Sequence, residues 1–142
     1  MCIRDSINDG VYKCGFARNQ SAYEKASQNL FAAINEVENL LQQNKRDWLF
    51  GDELTYADIY LFPTFIRWEL IYSNLFKCTE KKLSSFEKII EWRLKFYNLS
   101  NVSSTCFDNE WKKDYYKALF PLNPNQLIPV LPSLKEIMKV ES

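Results

Sequence analysis

Histidine is missing from all 142 residues. That excludes imidazole bases, Ser-His-Asp or Cys-His catalysis and histidine metal ligation by this polypeptide. The four cysteines, Cys2, Cys14, Cys78 and Cys106, make no C-x-x-C pair and no zinc spacing, so no metal site is expected. They read as reduced thiols, which points to a cytoplasmic protein. Glycine is scarce, at three residues, and no segment alternates apolar with polar residues as a half-buried strand would. Net charge is absent too. Eighteen basic residues cancel eighteen acidic ones, leaving no electrostatic footprint for nucleic acid or an anionic membrane. No apolar run is long enough to span a bilayer.

Aromatic and aliphatic side chains are abundant instead. Apolar residues make up 46% and aromatic residues 15%, including ten Phe, eight Tyr and four Trp. That balance suits a folded chain rather than a disordered one. At this length one domain buries roughly two-thirds of its unfolded surface. The aromatic excess fits a thick helical core or an aromatic-lined pocket.

Hydrophobic period supplies the elements. Residues 1–18 are polar and irregular and read as a linker. From Ser21 to Asn44, Tyr23, Ala26, Leu30, Ala33, Ile34, Val37, Leu40 and Leu41 recur at steps of three and four, which predicts an amphipathic helix. Ser21 with Glu24 can form a capping box there, with Asn19 competing for the cap. A turn around Gly51 follows.

The segment "LTYADIYLFP" then carries the strongest local signal. Thr55 can cap a helix N-terminus, and Asp58 can reach back to the Thr55 N–H, a capping box with Asp in the usual Glu position. Leu54 and Ile59 have the spacing of a hydrophobic staple. The helix predicted from Thr55 to about Tyr72 is apolar on nearly every face in its first half, so it is central, with a bend expected at Pro63. Arg67 and Glu69 on it are read as structural charges in need of partners. An amphipathic helix over Ser85–Tyr97 follows, then shorter ones near Asn101–Thr105 and Asp108–Leu119. Prolines force "PLNPNQLIPVLP" to be extended, and a short helix closes the chain over Ser133–Val140. The expectation is an all-α bundle around the Thr55 helix with an extended, proline-containing tail.

Several segments, in order, resemble a known family. "NDGVYKCGFA" (8–17), "WLFGDELTYADIYLFPTFIRWE" (48–69), "LFKC" (75–78), "DYY" (114–116) and "LNP" with "IP" (122–129) are similar to the C-terminal domain of the Xi-class glutathione transferases, the glutathionyl-hydroquinone reductases. The capped-helix block is shared across transferase classes; "GVYKCGFA" and the paired tyrosines are narrower.

The resemblance implies a glutathione-transferase C-terminal-like helical domain over residues 19–142, which holds the electrophile and contributes to a homodimer of the intact protein. In such a family a thioredoxin-like domain binds the cosubstrate glutathione and carries the reacting cysteine in a Cys-Pro-Trp setting. No cysteine here precedes proline, and there is no room before residue 8 for that domain. The chain is therefore expected to be a C-terminal fragment with no catalytic residue of its own, led by a linker remnant whose residues 1–7 are non-native.

The family's pocket tyrosines map onto Tyr12, Tyr115 and Tyr116, as groups for a glutathionyl-quinol or related aromatic electrophile. A phenol offers a flat apolar face with a donor at its rim. Asp114 stands where the family commonly has His, and Ala118-Leu119 replace its usual Ser-His, which alters the donors beside the tyrosines. Cys14 reads as an inert small thiol and Cys78 as non-catalytic. Lys112 and Lys113 read as a solvated face. A competing assignment is a non-catalytic helical interaction module of the same fold.

Overall fold

The structure, a computed structural model, describes residues 2–44, 47–119 and 121–139. Its first helix, α1, runs over Ile3–Gly15 and buries Ile7, Gly10, Val11, Cys14 and Gly15. This corrects the reading of residues 1–18 as an irregular linker. Ile3, Ile7, Val11 and Cys14 stand at steps of four, four and three, one helical stripe set among polar residues. α1 packs along α2 (Gln20–Asn44). At Gly10 a Cβ would lie 3.1 Å from the Leu30 side chain, so the missing side chain lets the two helices approach closely.

The start of α2 resolves the choice of cap. Asn19 Oδ1 accepts the Ala22 N–H at 2.8 Å, while Ser21 sits inside the helix and donates its hydroxyl to Asn19. Asn19, not Ser21, is the cap. The stripe of α2 faces the core through Leu30, Ile34, Val37 and Leu41.

The connection to the central helix turns through a Trp48–Gly51 bridge, with Gly51 at φ 144°, backbone that favours glycine. α3 (Tyr56–Ile66) then starts at a reciprocal capping box between Thr55 and Asp58. Asp58 Oδ2 accepts the Thr55 N–H at 2.9 Å and the Thr55 hydroxyl at 3.1 Å. The same carboxylate accepts the Leu49 N–H at 3.0 Å and the Trp92 indole N–H at 2.8 Å through Oδ1. One buried side chain therefore closes the preceding turn, starts α3 and locates a neighbouring helix.

Two expectations for this region are corrected. The α-helix does not continue to Tyr72; past Arg67 it widens into a π-helical turn over Trp68–Tyr72, with the Ser73 N–H bonded to the Trp68 carbonyl. Pro63 lies within α3 itself. Nor is α3 buried all round: Tyr56, Ile59 and Tyr60 are exposed, and so is Leu54 of the expected staple.

α4 (Glu87–Tyr97) crosses α2 and α3, and α5 (Asp108–Ala118) packs on the π turn. Glu38 of α2 accepts the Lys88 and Ile89 N–H groups at 3.0 and 2.9 Å, so a carboxylate from another helix caps α4. Arg93 of α4, buried, grips Glu69 with both terminal nitrogens at 2.6 and 2.9 Å and donates to the Phe65 carbonyl. Glu69's partner is thus Arg93. Arg67 lies instead over the Trp111 ring, 4.8 Å from its centre.

After α5 the chain has no regular element until α6 (Leu134–Met138), and the expected continuation to Val140 lies outside the described residues. The Asn123 side-chain amide spans the Tyr116 and Leu127 carbonyls, and Asp108 accepts the Leu134 N–H, so the tail is tied to both ends of α5. Among the described residues there is no strand; the molecule is an all-α bundle.

Candidate functional site

Three elements bring phenols together. α1 carries Tyr12 three residues before its end, the π turn ends at Tyr72, and α5 carries Tyr115. The Tyr12 and Tyr115 hydroxyls are 3.0 Å apart, and the Tyr115 and Tyr72 hydroxyls 2.9 Å apart. Phe76 packs under all three, its ring centre 5.0 Å from Tyr12, 5.2 Å from Tyr72 and 6.1 Å from Tyr115. Edge-to-face packing of this kind fixes ring orientation as well as burying area.

Gly15 makes the arrangement possible. A Cβ there would sit 2.7 Å from the Phe76 ring, closer than any side chain tolerates, so only glycine lets Phe76 press against α1. Phe16, next in sequence, is half exposed and lies parallel to Tyr12 with ring centres 6.4 Å apart. Tyr12 and Phe16 form one wall of an open recess of about 590 Å³ between α1 and α2, floored by Ala22 and Ala26 and edged by Lys13 and Lys25.

Tyr116 does not join this group. It is buried, and its hydroxyl donates to the Leu70 carbonyl at 2.6 Å. The pocket role expected of it is corrected to a structural one. Tyr72, which the sequence reading placed in a core helix and left unassigned, is equally buried but joins its hydroxyl to Tyr115. A tyrosine three residues before "LFKC" was the available signal.

Burial first, then the hydrogen bond with Tyr115, pushes the Tyr12 phenol above its ordinary pKa. Burial raises Tyr72 further, and it pushes Tyr116 up to about 12. These phenols are neutral donors at physiological pH, not phenolate bases.

Cys14 and Cys78, far apart in sequence, lie side by side and buried behind the ring cluster. Their mutual hydrogen bond holds the Cys14 thiol below its ordinary pKa and Cys78 above it. Asp114, Lys113 and Ala118 are exposed on α5, away from the hydroxyl chain's buried end. Among the described residues, no group of three His, Cys, Asp or Glu side chains could hold a metal ion. No described helix is long and apolar enough to cross a membrane.

This bundle, with its capped central helix and its cluster of phenols joining the first helix, the π turn and α5, defines a glutathione-transferase helical domain. Residues 20–102 match the family described as glutathione S-transferase, C-terminal domain, and the chain belongs to it. Its relatives within that family include glutathionyl-hydroquinone reductases, Xi-class transferases and proteins named omega-like glutathione S-transferases.

The glutathionyl-hydroquinone reductase PcpF of Sphingobium chlorophenolicum is 36% identical over 131 residues, 92% of this chain and 41% of that protein. The crystal structure of glutathione transferase Xi 1 from Trametes versicolor is 40% identical with a TM-score of 0.85, over 92% of this chain and 44% of that one. The glutathione-bound structure of YqjG, a glutathione transferase homologue from Escherichia coli K-12, is 29% identical with a TM-score of 0.86, over 99% of this chain and 46% of that one. The chain spans about two-fifths of the length of the curated relatives it matches.

Proposed function

We propose that this chain is the electrophile-binding part of a glutathione-dependent reductase of glutathionyl-hydroquinones, with the reacting cysteine supplied by a separate glutathione-binding domain. The observation that carries the reading is the Tyr12–Tyr115 hydroxyl pair beside an apolar recess edged by Lys13 and Lys25. An aromatic ring fits against Tyr12 and Phe16, a phenol hydroxyl hydrogen-bonds a quinol oxygen or the conjugate's sulfur, and the two ammonium groups match glutathionyl carboxylates.

The chemistry assigned to the intact protein is thiol–disulfide in character. A cysteine thiolate of the partner domain attacks the glutathionyl sulfur, the carbon–sulfur bond breaks, and the ring takes a proton and leaves as hydroquinone. A second glutathione thiolate then attacks the cysteine–glutathione disulfide, restoring the cysteine and releasing glutathione disulfide. On this reading Tyr12 donates to the ligand and the ring cluster excludes water. Neither buried thiol, Cys14 nor Cys78, is a nucleophile for the conjugate, since both face the core.

Support for a partner domain comes from the surface. Phe50, Leu54, Tyr56, Ile59 and Tyr60 are 40–74% exposed around the start of α3, a concentration of apolar surface unusual for a solvated face. The proposal assigns that face to the glutathione-binding domain.

Titrating the chain with 2-(glutathion-S-yl)hydroquinone, followed by NMR shifts of labelled tyrosine, tests the site. Tyr12→Phe is expected to weaken binding about tenfold, the cost of one hydrogen bond to a ligand, and Tyr115→Phe, which acts only through the bond it makes to Tyr12, by a smaller factor. Affinity unchanged in both variants would refute the assignment.

A further inference from the structure

The hydroxyl chain has a direction, and its most deeply placed member sets it. Tyr72 is 2% exposed, whereas Tyr12 is 41% exposed at the other end. Each phenol has one proton and two lone pairs. A buried hydroxyl proton left without an acceptor is costlier and rarer than a buried lone pair left without a donor. The Tyr72 hydroxyl has Tyr12 nearby and Tyr115 at full hydrogen-bond distance, 2.9 Å, so the Tyr72 proton goes to Tyr115. Tyr115 then has its own proton to place, and Tyr12 lies 3.0 Å away. Tyr12 accepts it, which leaves the Tyr12 proton as the one not committed within the chain of hydroxyls.

We propose that Tyr72 is a positioning residue: it donates to Tyr115, Tyr115 donates to Tyr12, and Tyr12 alone presents a free O–H, so the cleft selects aromatic ligands that bring an acceptor atom. For the ligand half this rests on the cleft being an aromatic-ligand site, as proposed above. The direction of the chain is a property of the free protein. A carbonyl, a phenolate oxygen or a thioether sulfur satisfies the site. A ligand that can only donate leaves the Tyr12 proton unpaired.

Two measurements test the proposal. Hydroxyl-proton exchange in tyrosine-labelled protein without ligand is expected to show slow exchange at Tyr72 and Tyr115 and solvent-rate exchange at Tyr12. A protected Tyr12 proton with rapid exchange at Tyr72 overturns the direction, whatever the cleft binds. The second compares 1-acetonaphthone, which only accepts, with 1-naphthol, which also donates. Tyr72→Phe keeps the ring and removes the proton that commits Tyr115, so the preference for 1-acetonaphthone is expected to fall about threefold. A merely structural role weakens both probes by one factor, which overturns the positioning role. Failure of both probes to bind wild-type protein overturns the cleft reading and the selectivity half of the proposal with it.

Discussion

Asp58 holds four hydrogen bonds on one carboxylate and has no exposed surface. A capping-box reading values it as Thr55's equal, since each supplies one half of the box. The two are unequal because Asp58 also holds the Leu49 N–H and the Trp92 indole, both of which lose their partner if the carboxylate goes. Thr55→Ala is expected to cost about 1 kcal/mol. Asp58→Ala is expected to cost about 4 kcal/mol, from the lost cap and two orphaned buried donors. Urea midpoints of the two variants check this, and equal shifts would reduce Asp58 to a cap alone. The tyrosines carry the same lesson. Residues 115 and 116 are adjacent on a helix, about 100° apart around its axis, so one cleft cannot take both. A doubled tyrosine in the sequence names the pair; packing on the π turn decides that Tyr115 joins the hydroxyl cluster and Tyr116 the core.

The elements divide by how local their causes are. α2 and α4 were legible because their apolar stripes are dense, and the start of α3 because its cap is local. α1 was not, because its stripe is one apolar residue per turn in a polar setting and its helix is stabilised chiefly by packing on α2. The π turn was hidden too, since "WELIY" has an ordinary helical composition and the helix it packs against, α5, comes some forty residues later. The cap of α4 comes from Glu38, fifty residues upstream, and no local pattern announces it. Glu38→Gln keeps the size, removes the charge and retains one acceptor oxygen. It is expected to lower stability by about 1–2 kcal/mol. Thermal unfolding of the variant checks this, with loss of helix protection at Lys88 and Ile89 in hydrogen exchange as its local signature. Unchanged stability would mean that water caps α4 as well as Glu38 does.

Across the whole molecule, the fold is self-sufficient while the site is open on one side. The core is continuous from Ile7 on α1 to Met138 on α6, yet Tyr12, Phe16 and the Tyr56–Tyr60 face stay uncovered. The chain has a cluster of phenols joined through their hydroxyls, and the two thiols near it, Cys14 and Cys78, are buried. On the reading proposed above, the reacting sulfur comes from the glutathione-binding domain. The most direct measurement is reduction of 2-(glutathion-S-yl)hydroquinone with glutathione by the chain alone and by the chain fused behind the glutathione-binding part of the E. coli relative. The account predicts no turnover by the chain alone and turnover by the fusion that Tyr12→Phe diminishes. Ordinary enzymatic turnover by the chain alone, or a correctly folded fusion that stays inactive, would contradict it.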